Sequence, residues 1–283
     1  MTETLREALH RAAQALAAAG SEEAALEAEL LLAHALGTDR THLYQRLPDD
    51  LPPDAVAAFE ALLRRRLAHE PVPYITGRKE FYGLEFEVTP AAIIPRPETE
   101  TLIELVLGFA ERGLTAPRIA DVGVGCGAIA VTLAVSLPRA EIIAVDISAE
   151  ALALARRNAE RHGVAARIDF REGDLLAPLA VQVDVIAANL PYVRSGDFEA
   201  GPPEIREHEP RLGLDGGADG LDLIRRLLRG APRYLEPGGA LFAEIGEEQG
   251  EAALSLAGAC FPQARIEVRK DLSGLDRVLV VGT

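Results

Sequence analysis

The sequence predicts an α/β fold in which a mostly parallel sheet of seven strands is covered by helices and follows a small helical domain. First, short apolar runs alternate with helical stretches from Pro97 onwards, a pattern that requires crossover connections. Second, only about seven residues, Lys270–Asp276, separate the last two runs, too few for a helical crossover. The sheet should therefore end in an antiparallel hairpin. Third, the hydrophobic period is helical from Thr4 to about Glu70.

Seven apolar runs are assigned to strands of this sheet. They are Arg118–Val122, Glu141–Asp146, Arg167–Phe170, Val183–Ala188, Ala240–Ile245, Ala264–Arg269 and Arg277–Val281. A period of two between Glu80 and Ile94 predicts a half-exposed hairpin ahead of the sheet. We therefore expect a helical domain at 1–75, a β-hairpin linker at 76–96 and an α/β domain at 97–283.

The helical segment contains its own start and stop signals. Gly20 and Gly37 stand where glycines would end the first two helices. Asp54 is expected to cap a third helix, which also contains the densest basic cluster of this segment, Arg64–Arg66. This cluster is either a docking patch or a solvated helix end. The buried stripe of the third helix is expected to be Val56, Phe59, Leu63 and Leu67.

Composition excludes several classes of protein. With 48% hydrophobic and 26% charged residues, the 283-residue chain does not resemble a disordered one. A formal net charge of −15 disfavours binding to a nucleic-acid backbone. No apolar run approaches the ~18 residues of a membrane span, and charged residues interrupt Met1–Gly20, so no membrane association and a cytoplasmic location are expected.

Histidine and cysteine spacing does not predict a metal site. The six histidines form no H-x-x-x-H or H-E-x-x-H pattern. Cys126 and Cys260 are too far apart in sequence for a C-x-x-C site and are expected to be reduced and mostly buried thiols.

A glycine-rich loop follows the first strand of the sheet. The sequence Asp121-Val-Gly123-Val-Gly125-Cys-Gly127 leads directly into a helix, at the edge where open α/β sheets bind ligands. Glycines allow backbone N–H groups to approach such a ligand closely. The next strand ends in Asp146, at the spacing of a carboxylate that accepts from both ribose hydroxyls of a nucleoside.

Two nucleoside cofactors fit this loop. Gly123, Gly125 and Ala128 also satisfy the dinucleotide fingerprint, so an oxidoreductase remains an alternative at this point. Asp121 instead favours the cationic amino group of a methionine moiety over a pyrophosphate. The predicted closing hairpin resembles that of S-adenosylmethionine (SAM) methyltransferases. Asp174 is expected either to accept from an adenine amino group, with Leu175 against the ring, or to be a polar turn residue.

The fourth strand leads into Asn189-Leu190-Pro191-Tyr192 at the same edge. The Asn189 side-chain oxygen and the Leu190 carbonyl can accept the two N–H groups of a planar amide or amine. Pro191 stiffens the turn, and Tyr192 is expected to cover the flat face of the acceptor. Oxygens directed at a nitrogen that becomes positive during methyl transfer stabilise that charge, so no strong general base is required. Taken alone, Asn-X-Pro is also an ordinary turn signal.

Further motifs make the chain resemble the peptide chain release factor glutamine methyltransferases, over roughly residues 70–283. They are Phe81-Tyr-Gly83, Ile94-Pro-Arg-Pro-Glu-Thr-Glu100, Glu209-Pro-Arg-Leu212, Asp219-Gly-Leu221, Glu244-Ile-Gly246 and Lys270-Asp-Leu-Ser-Gly-Leu-Asp-Arg277. The resemblance implies a class I SAM-dependent methyltransferase fold, which is Rossmann-like. It also implies that Arg96–Thr99 closes over the cofactor. Because a glutamine side chain alone offers too few contacts for selectivity, the 1–75 domain and the long polar loop Val193–Asp215 are expected to flank the pocket and to recognise the intact protein substrate.

The same resemblance implies roles for individual residues. SAM, with S-adenosyl-L-homocysteine as product, would be bound by Asp146, Asn189 and the loop residues Gly123, Val124, Gly125, Cys126 and Gly127. Asn189–Tyr192 would hold the glutamine of a Gly-Gly-Gln motif, with Asn189, Pro191 and Tyr192 as the catalytic set. The chain departs from the family pattern at Leu190, where proline is usual, and at Cys126, where a hydroxyl residue is frequent.

Three other functions compete with this one. The first is a DNA adenine amino-methyltransferase, which the negative charge and the lack of a large target-recognition domain disfavour. The second is a glutamine methyltransferase of a ribosomal protein, and the third is a nucleoside-binding module without catalysis. The expected partner is a release factor, without direct contact to nucleic acid, and a monomer is expected.

Overall fold

The computed structural model describes residues 3–283 and divides into two compact units. The helical unit contains the described residues up to Gly77 together with Pro203–His208, and the α/β unit contains Arg78–Pro202 and Glu209–Thr283. Residues 1 and 2 of the predicted 1–75 domain lie outside the described part. Within residues 3–283, no helix is long and apolar enough to cross a membrane.

Helices and strands are numbered in chain order. The helices are α1 (Leu5–Ala18), α2 (Ala24–Ala35), α3 (Arg40–Gln45), α4 (Pro53–Leu67), α5 (Val72–Thr76), α6 (Glu100–Ala110), α7 (Ala128–Ser136), α8 (Ala149–Arg161), α9 (Ser195–Ala200), α10 (Pro203–His208), α11 (Asp222–Gly230) and α12 (Gly250–Cys260). The strands are β1 (Arg78–Phe81), β2 (Leu84–Glu87), β3 (Arg118–Val122), β4 (Glu141–Asp146), β5 (Ile168–Glu172), β6 (Val183–Ala188), β7 (Leu235–Glu244), β8 (Arg265–Lys270) and β9 (Asp276–Gly282).

The helical unit is held together by an apolar core shared by α1, α2 and α4. Thr4 and Glu7 form a capping box at the start of α1. Gly20 and Gly37 adopt positive φ angles directly after α1 and α2, as predicted for glycines that end helices.

The prediction for α4 was wrong in two respects. Asp54 does not cap this helix, because α4 begins one residue earlier, at Pro53, a position that proline favours. The buried face of the helix is Ala55, Phe59, Leu63 and Arg66. Val56 and Leu67 are exposed.

Arg66 is an internal residue of the helical unit. Its guanidinium is 3.0 Å from the Glu27 carboxylate and 3.1 Å from that of Glu204 on α10. Arg65 forms an ion pair with Glu70. The Arg64–Arg66 cluster is therefore mostly committed to contacts inside this unit, and only Arg64 remains exposed without an ion pair within residues 3–283.

The large sheet of the α/β unit has seven strands in the order β5-β4-β3-β6-β7-β9-β8. β3 to β7 are parallel, and β9 runs antiparallel to both β7 and β8, which confirms the predicted closing hairpin. β7 starts at Leu235, five residues before the predicted run, with a register shift against β6. The inner strands are buried on both faces because helices cover them.

The predicted hairpin is present and shorter than expected. β1 and β2 pair antiparallel over residues 78–87, within the α/β unit. Phe86 of β2 is fully buried and packs edge to face against Phe81 with ring centroids 6.2 Å apart. The chain then continues without regular structure to a short 3-10 turn at Pro97–Thr99, which leads into α6.

Candidate active site

A pocket of about 290 Å³ opens at the carboxyl edge of the large sheet. Its walls are the loop after β3, the ends of β4 and β5, the turn after β6 and two covering segments, 91–93 and 210–213. Eight predicted site residues line it: Gly123, Gly125, Asp146, Asp174, Leu175, Asn189, Leu190 and Pro191. Five do not: Asp121, Val124, Cys126, Gly127 and Tyr192.

The glycine loop is shaped by close approach of its backbone to neighbouring elements. The N–H groups of Gly123 and Val124 both donate to the Val145 carbonyl, at 2.8 and 3.0 Å. Gly123 has φ +82°, and a Cβ there would lie 3.0 Å from Leu190 Cδ2. Gly127 caps α7 at φ +89°, where a Cβ would lie 3.2 Å from the Ala155 backbone. A side chain at Gly123 would therefore press on Leu190 in the pocket wall, and one at Gly127 would press on the helix that contains Ala155.

Asp146 joins the loop to the next strand. Its carboxylate accepts from the Gly125 N–H and the Ser148 N–H, both at 2.9 Å. Burial raises the pKa of Asp146, and these two N–H donors oppose the rise. A carboxylate has about four acceptor sites, so about two remain for a ligand diol.

Asp121 lies beneath the loop with no exposed surface. One of its oxygens accepts from the Ala130 N–H of α7 at 2.9 Å, while Oδ1 is buried without a hydrogen-bond partner. Burial raises its pKa to about 7, and the nearby Asp146 adds to the rise. A cationic group bound above the loop would relieve this unsatisfied acidic oxygen, which fits an amino-acid-bearing cofactor better than a pyrophosphate.

Cys126 is a buried residue of the loop. Burial raises the pKa of its thiol to about 12. Its carbonyl accepts from the side chain of Asn158 at 2.8 Å. Asn158 also exchanges two hydrogen bonds with the backbone of Glu87 in β2. The thiol is therefore kept neutral, and the loop is held through the Cys126 backbone.

Asp174 and Leu175 form the third part of the pocket. Asp174 is half exposed and forms an ion pair with Arg226. Leu175 has φ +50°, a left-handed conformation that bulky residues rarely adopt. Such strain persists only where the surroundings impose it. It keeps an apolar side chain at the wall where the sequence predicted contact with a base.

The Asn189 turn faces the loop across the pocket. Asn189 Nδ2 donates to the Thr99 hydroxyl at 3.0 Å. Since no hydrogen bond reaches its Oδ1 within residues 3–283, this oxygen is the end of the amide that remains for a ligand. The Tyr192 hydroxyl donates to Glu244 at 3.0 Å, and the Tyr192 carbonyl accepts from Gln249 at 2.9 Å.

Of the two covering segments, sequence analysis missed 91–93 as a pocket wall, whereas 210–213 lies in the polar loop that was expected to flank the pocket. The Glu209 carboxylate, which is almost fully buried, joins them by accepting from the Ile94 N–H at 3.1 Å and from Arg96. Ile93 packs so closely on Gly213 that a Cβ at that glycine would lie 2.7 Å from it. Only the family resemblance at Ile94–Glu100 and Glu209–Leu212 indicated that these residues belong to the site. The contact between Ile94 and Glu209 itself could not be predicted, because no local pattern links positions 115 residues apart.

The described residues offer no evident metal site. No group of three or more His, Cys, Asp or Glu side chains in residues 3–283 is arranged to hold a metal ion. The donors around the pocket are instead backbone N–H groups, single carboxylates and amide oxygens, a set suited to a polar organic ligand.

Comparison with known proteins identifies both units. A family model described as the PrmC N-terminal domain matches residues 7–77, and one described as the methyltransferase small domain matches residues 101–201. The chain is 45% identical over 282 residues to the release factor glutamine methyltransferase of Geobacter sulfurreducens, covering 98% of this chain and 95% of the relative. It is 46% identical over 275 residues to the protein of that name from Moorella thermoacetica, covering 97% and 96%.

Solved structures show the same fold at low identity. The hMettl16 catalytic domain, solved with a MAT2A 3′UTR hairpin, aligns with a TM-score of 0.55 at 16% identity, covering 81% of each chain. A T. thermophilus 16S rRNA N2 G1207 methyltransferase, solved with AdoMet and guanosine, aligns with a TM-score of 0.51 at 18% identity, covering 73% of this chain and 49% of that one. With near-full-length relatives of one name and a methyltransferase fold, this chain belongs to the release factor glutamine methyltransferase family.

Proposed function

We propose that this protein transfers a methyl group from SAM to the side-chain amide nitrogen of the glutamine in the Gly-Gly-Gln motif of peptide chain release factors. The observation that carries the proposal is the orientation of Asn189. The side-chain nitrogen of Asn189 donates a hydrogen bond to the Thr99 hydroxyl. The side-chain oxygen therefore remains to accept a hydrogen bond from an N–H of the amide that is methylated. The names of the relatives support the release factor as substrate.

The cofactor would be held by the glycine loop and the residues around it. Asp146 has acceptor capacity left for the ribose hydroxyls, and the unpartnered Oδ1 of Asp121 suits the amino group of the methionine moiety. Leu175 and Asp174 would contact the adenine, although Asp174 must share its carboxylate with Arg226. When bound, SAM supplies a methyl group activated by a positively charged sulfur and leaves as S-adenosyl-L-homocysteine.

The chain's own residues act on the acceptor amide. Asn189 Oδ1 and the Leu190 carbonyl would accept its two N–H groups and hold the nitrogen in one position for methyl transfer. Both oxygens stabilise the positive charge that grows on nitrogen as the new C–N bond forms. The methylated nitrogen then loses a proton readily, because a protonated amide is a strong acid, so no general base is needed.

Tyr192 would form one side of the acceptor site. Its hydroxyl is held by Glu244 and its carbonyl by Gln249, so the ring has a fixed position next to Pro191. Burial raises the pKa of Tyr192, and the charge of Glu244 adds to the rise. The phenol therefore stays neutral, and its expected contribution is stacking rather than proton transfer.

Recognition of an intact release factor needs more surface than a glutamine side chain provides, typically about 800 Å² per partner. We assign this role to the helical unit, which the family model for the PrmC N-terminal domain matches. The alternatives, a ribosomal protein glutamine or a DNA adenine as acceptor, have less support, because the full-length relatives are named for release factors.

The test is methylation of candidate substrates by the purified protein, followed by mass spectrometry. A release factor incubated with SAM and the enzyme should gain one methyl group on the Gly-Gly-Gln glutamine. The same factor with that glutamine replaced by alanine should gain none. Methylation of a ribosomal protein or of DNA adenine, with the release factor left unmodified, would overturn the proposal.

A further inference from the structure

Gln249, which directly precedes α12, is a buried side chain that joins three segments of the α/β unit. Its Oε1 accepts from the Gly246 N–H, just after β7, at 2.8 Å. Its Nε2 donates to the Tyr192 carbonyl at 2.9 Å and to the Asp219 carbonyl, just before α11, at 3.3 Å. Both ends of this buried amide are therefore hydrogen-bonded, and every partner is a backbone group.

The chemistry of these partners permits a single orientation of the amide. A backbone N–H can only donate, and a backbone carbonyl can only accept. Oε1 must therefore face Gly246, and Nε2 must face the carbonyls of Tyr192 and Asp219. A flipped amide would oppose donor to donor and acceptor to acceptor, so the side chain specifies one arrangement of the three segments.

Two glycines leave the space that this amide occupies. A Cβ at Gly220 would lie 2.4 Å from Gln249 Nε2 and 2.2 Å from the Tyr192 carbonyl oxygen. A Cβ at Gly246 would lie 3.2 Å from Gln249 Oε1. The proposed mechanism gives neither glycine a role, although each belongs to one of the motifs found in the sequence, Asp219-Gly-Leu221 and Glu244-Ile-Gly246.

The bond from Gln249 fixes the peptide group that follows Tyr192. Both polar groups of that peptide are bonded, because the Tyr192 carbonyl accepts from Gln249 and the Val193 N–H donates to the Leu214 carbonyl at 3.0 Å. The Tyr192 hydroxyl is held separately, by Glu244 at 3.0 Å. The backbone and the ring of Tyr192 are thus anchored independently, and the ring cannot leave its place without breaking one of these bonds.

We propose that Gln249 is a positioning residue for methyl transfer, which locks the Asn189–Tyr192 turn so that its acceptor oxygens and the Tyr192 ring are aligned on the substrate amide. The inference rests on the proposed function of that turn. Gln249 does not line the pocket, so it acts through Tyr192 rather than by contact with the cofactor. A small displacement of the groups that hold a reacting atom can lower a rate by about 100-fold, which is the effect expected here.

Gln182 provides a matched control at the opposite edge of the sheet. It directly precedes β6, and its Nε2 donates to the Leu235 carbonyl at 3.0 Å and the Arg233 carbonyl at 3.5 Å, on either side of Tyr234. Gln182→Glu therefore breaks the same kind of hydrogen bonds as Gln249→Glu, next to a different tyrosine. Gln182 does not line the pocket and has no role in the proposed mechanism.

The first experiment compares steady-state kinetics of wild type, Gln249→Glu, Gln249→Met and Gln182→Glu, as purified full-length proteins, with an intact release factor. Glutamate keeps the acceptor for Gly246 but directs an oxygen at two carbonyls, and methionine keeps the length of the side chain without the N–H donors. In both Gln249 variants kcat should fall by about 100-fold, while KM for the factor and Kd for SAM stay within about threefold. Gln182→Glu should match the wild type in all three. Gln249→Met introduces no charge and carries the test if Gln249→Glu does not fold.

A second measurement does not depend on activity. The chain contains five tyrosines, so selective labelling of their rings gives a small set of NMR signals, and Tyr192→Phe identifies the signal of Tyr192. That signal should shift in both Gln249 variants and stay unchanged in Gln182→Glu. The Tyr234 signal should behave in the opposite way, because Gln182 bonds to the carbonyls on either side of it.

These outcomes separate the possible failures. A kcat near that of the wild type in a folded Gln249 variant, or an unchanged Tyr192 signal, would overturn the positioning role. A loss of SAM affinity as large as the loss of kcat would also overturn it, because the side chain would then support the whole unit rather than the acceptor turn. If the wild-type enzyme left release factors unmodified while the ring signals followed expectation, the proposed function would fail and the contact between Gln249 and Tyr192 would stand.

Discussion

Asp146 is the residue whose loss should weaken cofactor binding most directly. In Asp146→Ala, the ribose hydroxyls lose a charged acceptor, which should reduce the affinity for SAM by about 1–3 kcal/mol. The Gly125 and Ser148 N–H groups would also lose their partner, so the loop contributes to the effect. Calorimetric titration with SAM measures the change.

The control for this prediction is Glu150→Ala, which removes an exposed carboxylate from the first turn of the next helix. Its SAM affinity should equal that of the wild type. Equal affinities of Asp146→Ala and the wild type, or a preference of the wild type for NADH over SAM, would contradict the assignment of this site.

Asp121 should make stability depend on pH. Its pKa in the folded protein is about 7, raised by burial from 3.8. Between these values the folded state holds a proton that the unfolded state has lost, so the free energy of unfolding falls as pH rises from about 4 to about 7. The loss is on the order of 4 kcal/mol for a shift of this size. Asp121→Asn keeps an acceptor for the Ala130 N–H and should remove this pH-dependent loss of stability.

Urea unfolding of both proteins between pH 4 and 8 measures this difference. The advantage of Asp121→Asn should grow with pH, and saturating SAM should reduce it by placing a cation near the ionised Asp121. A difference between the two proteins that does not vary with pH would show that Asp121 is ionised throughout.

At the level of single residues, local motifs predicted which residues form the site better than they predicted which groups the side chains of those residues contact. Gly123, Asp146 and Asn189 were recognisable because each lies at the end of a strand, or directly after one, at the same edge of the sheet. Thr99 and Glu244 were not, because their contacts to Asn189 and Tyr192 span 90 and 52 positions of sequence. Tyr192 was expected to cover the acceptor, and the bond from its hydroxyl to a buried carboxylate had no signal in the sequence.

Among the elements, the turn from β3 into α7 is the most constrained. Gly127→Ala would introduce a Cβ 3.2 Å from the Ala155 backbone at a residue with φ +89°. The variant should lose about 1–3 kcal/mol in the free energy of unfolding and should bind SAM more weakly. Chemical denaturation and SAM titration measure the two effects.

Gly258→Ala is the matched control for that substitution. Gly258 lies within α12, and no heavy atom lies within 4 Å of a Cβ added there. Alanine should stabilise this helix by about 0.5–1 kcal/mol relative to glycine. If Gly127→Ala and Gly258→Ala had the same free energy of unfolding, the backbone of the turn from β3 into α7 would have to accommodate a side chain without strain.

Element types were predictable where the hydrophobic period was long or the apolar run was buried. The strands from β3 to β9 were located within a few residues, apart from the early start of β7. Short helices such as α3 and α5 were missed because five or six residues carry too little periodicity. The predicted cap at Asp54 was wrong because Pro53 satisfies the first helical position without a side-chain hydrogen bond.

For the whole molecule, the helical unit should matter for protein substrates and little for SAM. A protein lacking residues 1–70 should bind SAM almost normally, while its kcat/KM for an intact release factor falls severely. Full-length enzyme should prefer the intact factor to a short Gly-Gly-Gln peptide, and the truncated enzyme should show little preference. Circular dichroism must first establish that the truncated protein is folded.

The truncation also removes Arg66, which pairs with Glu204 in a segment whose place in the fold the sequence did not predict. The stretch 193–215 was read as a polar loop, yet its α10 belongs to the helical unit, where Glu204 pairs with Arg66. Sequence patterns do not reveal this return of the chain, because six residues cannot show which unit they join. If truncation left kcat/KM for the intact factor unchanged, the helical unit would have another task.

The most direct test of the mechanism is the rate of methyl transfer by Asn189→Ala at saturating SAM. The substitution removes the amide oxygen proposed to hold and polarise the acceptor nitrogen, while the Leu190 carbonyl remains. Single-turnover methylation of an intact release factor should be at least about 100-fold slower than in the wild type, with the fold intact. A rate near that of the wild type would contradict the proposal that the Asn189 oxygen drives glutamine methylation.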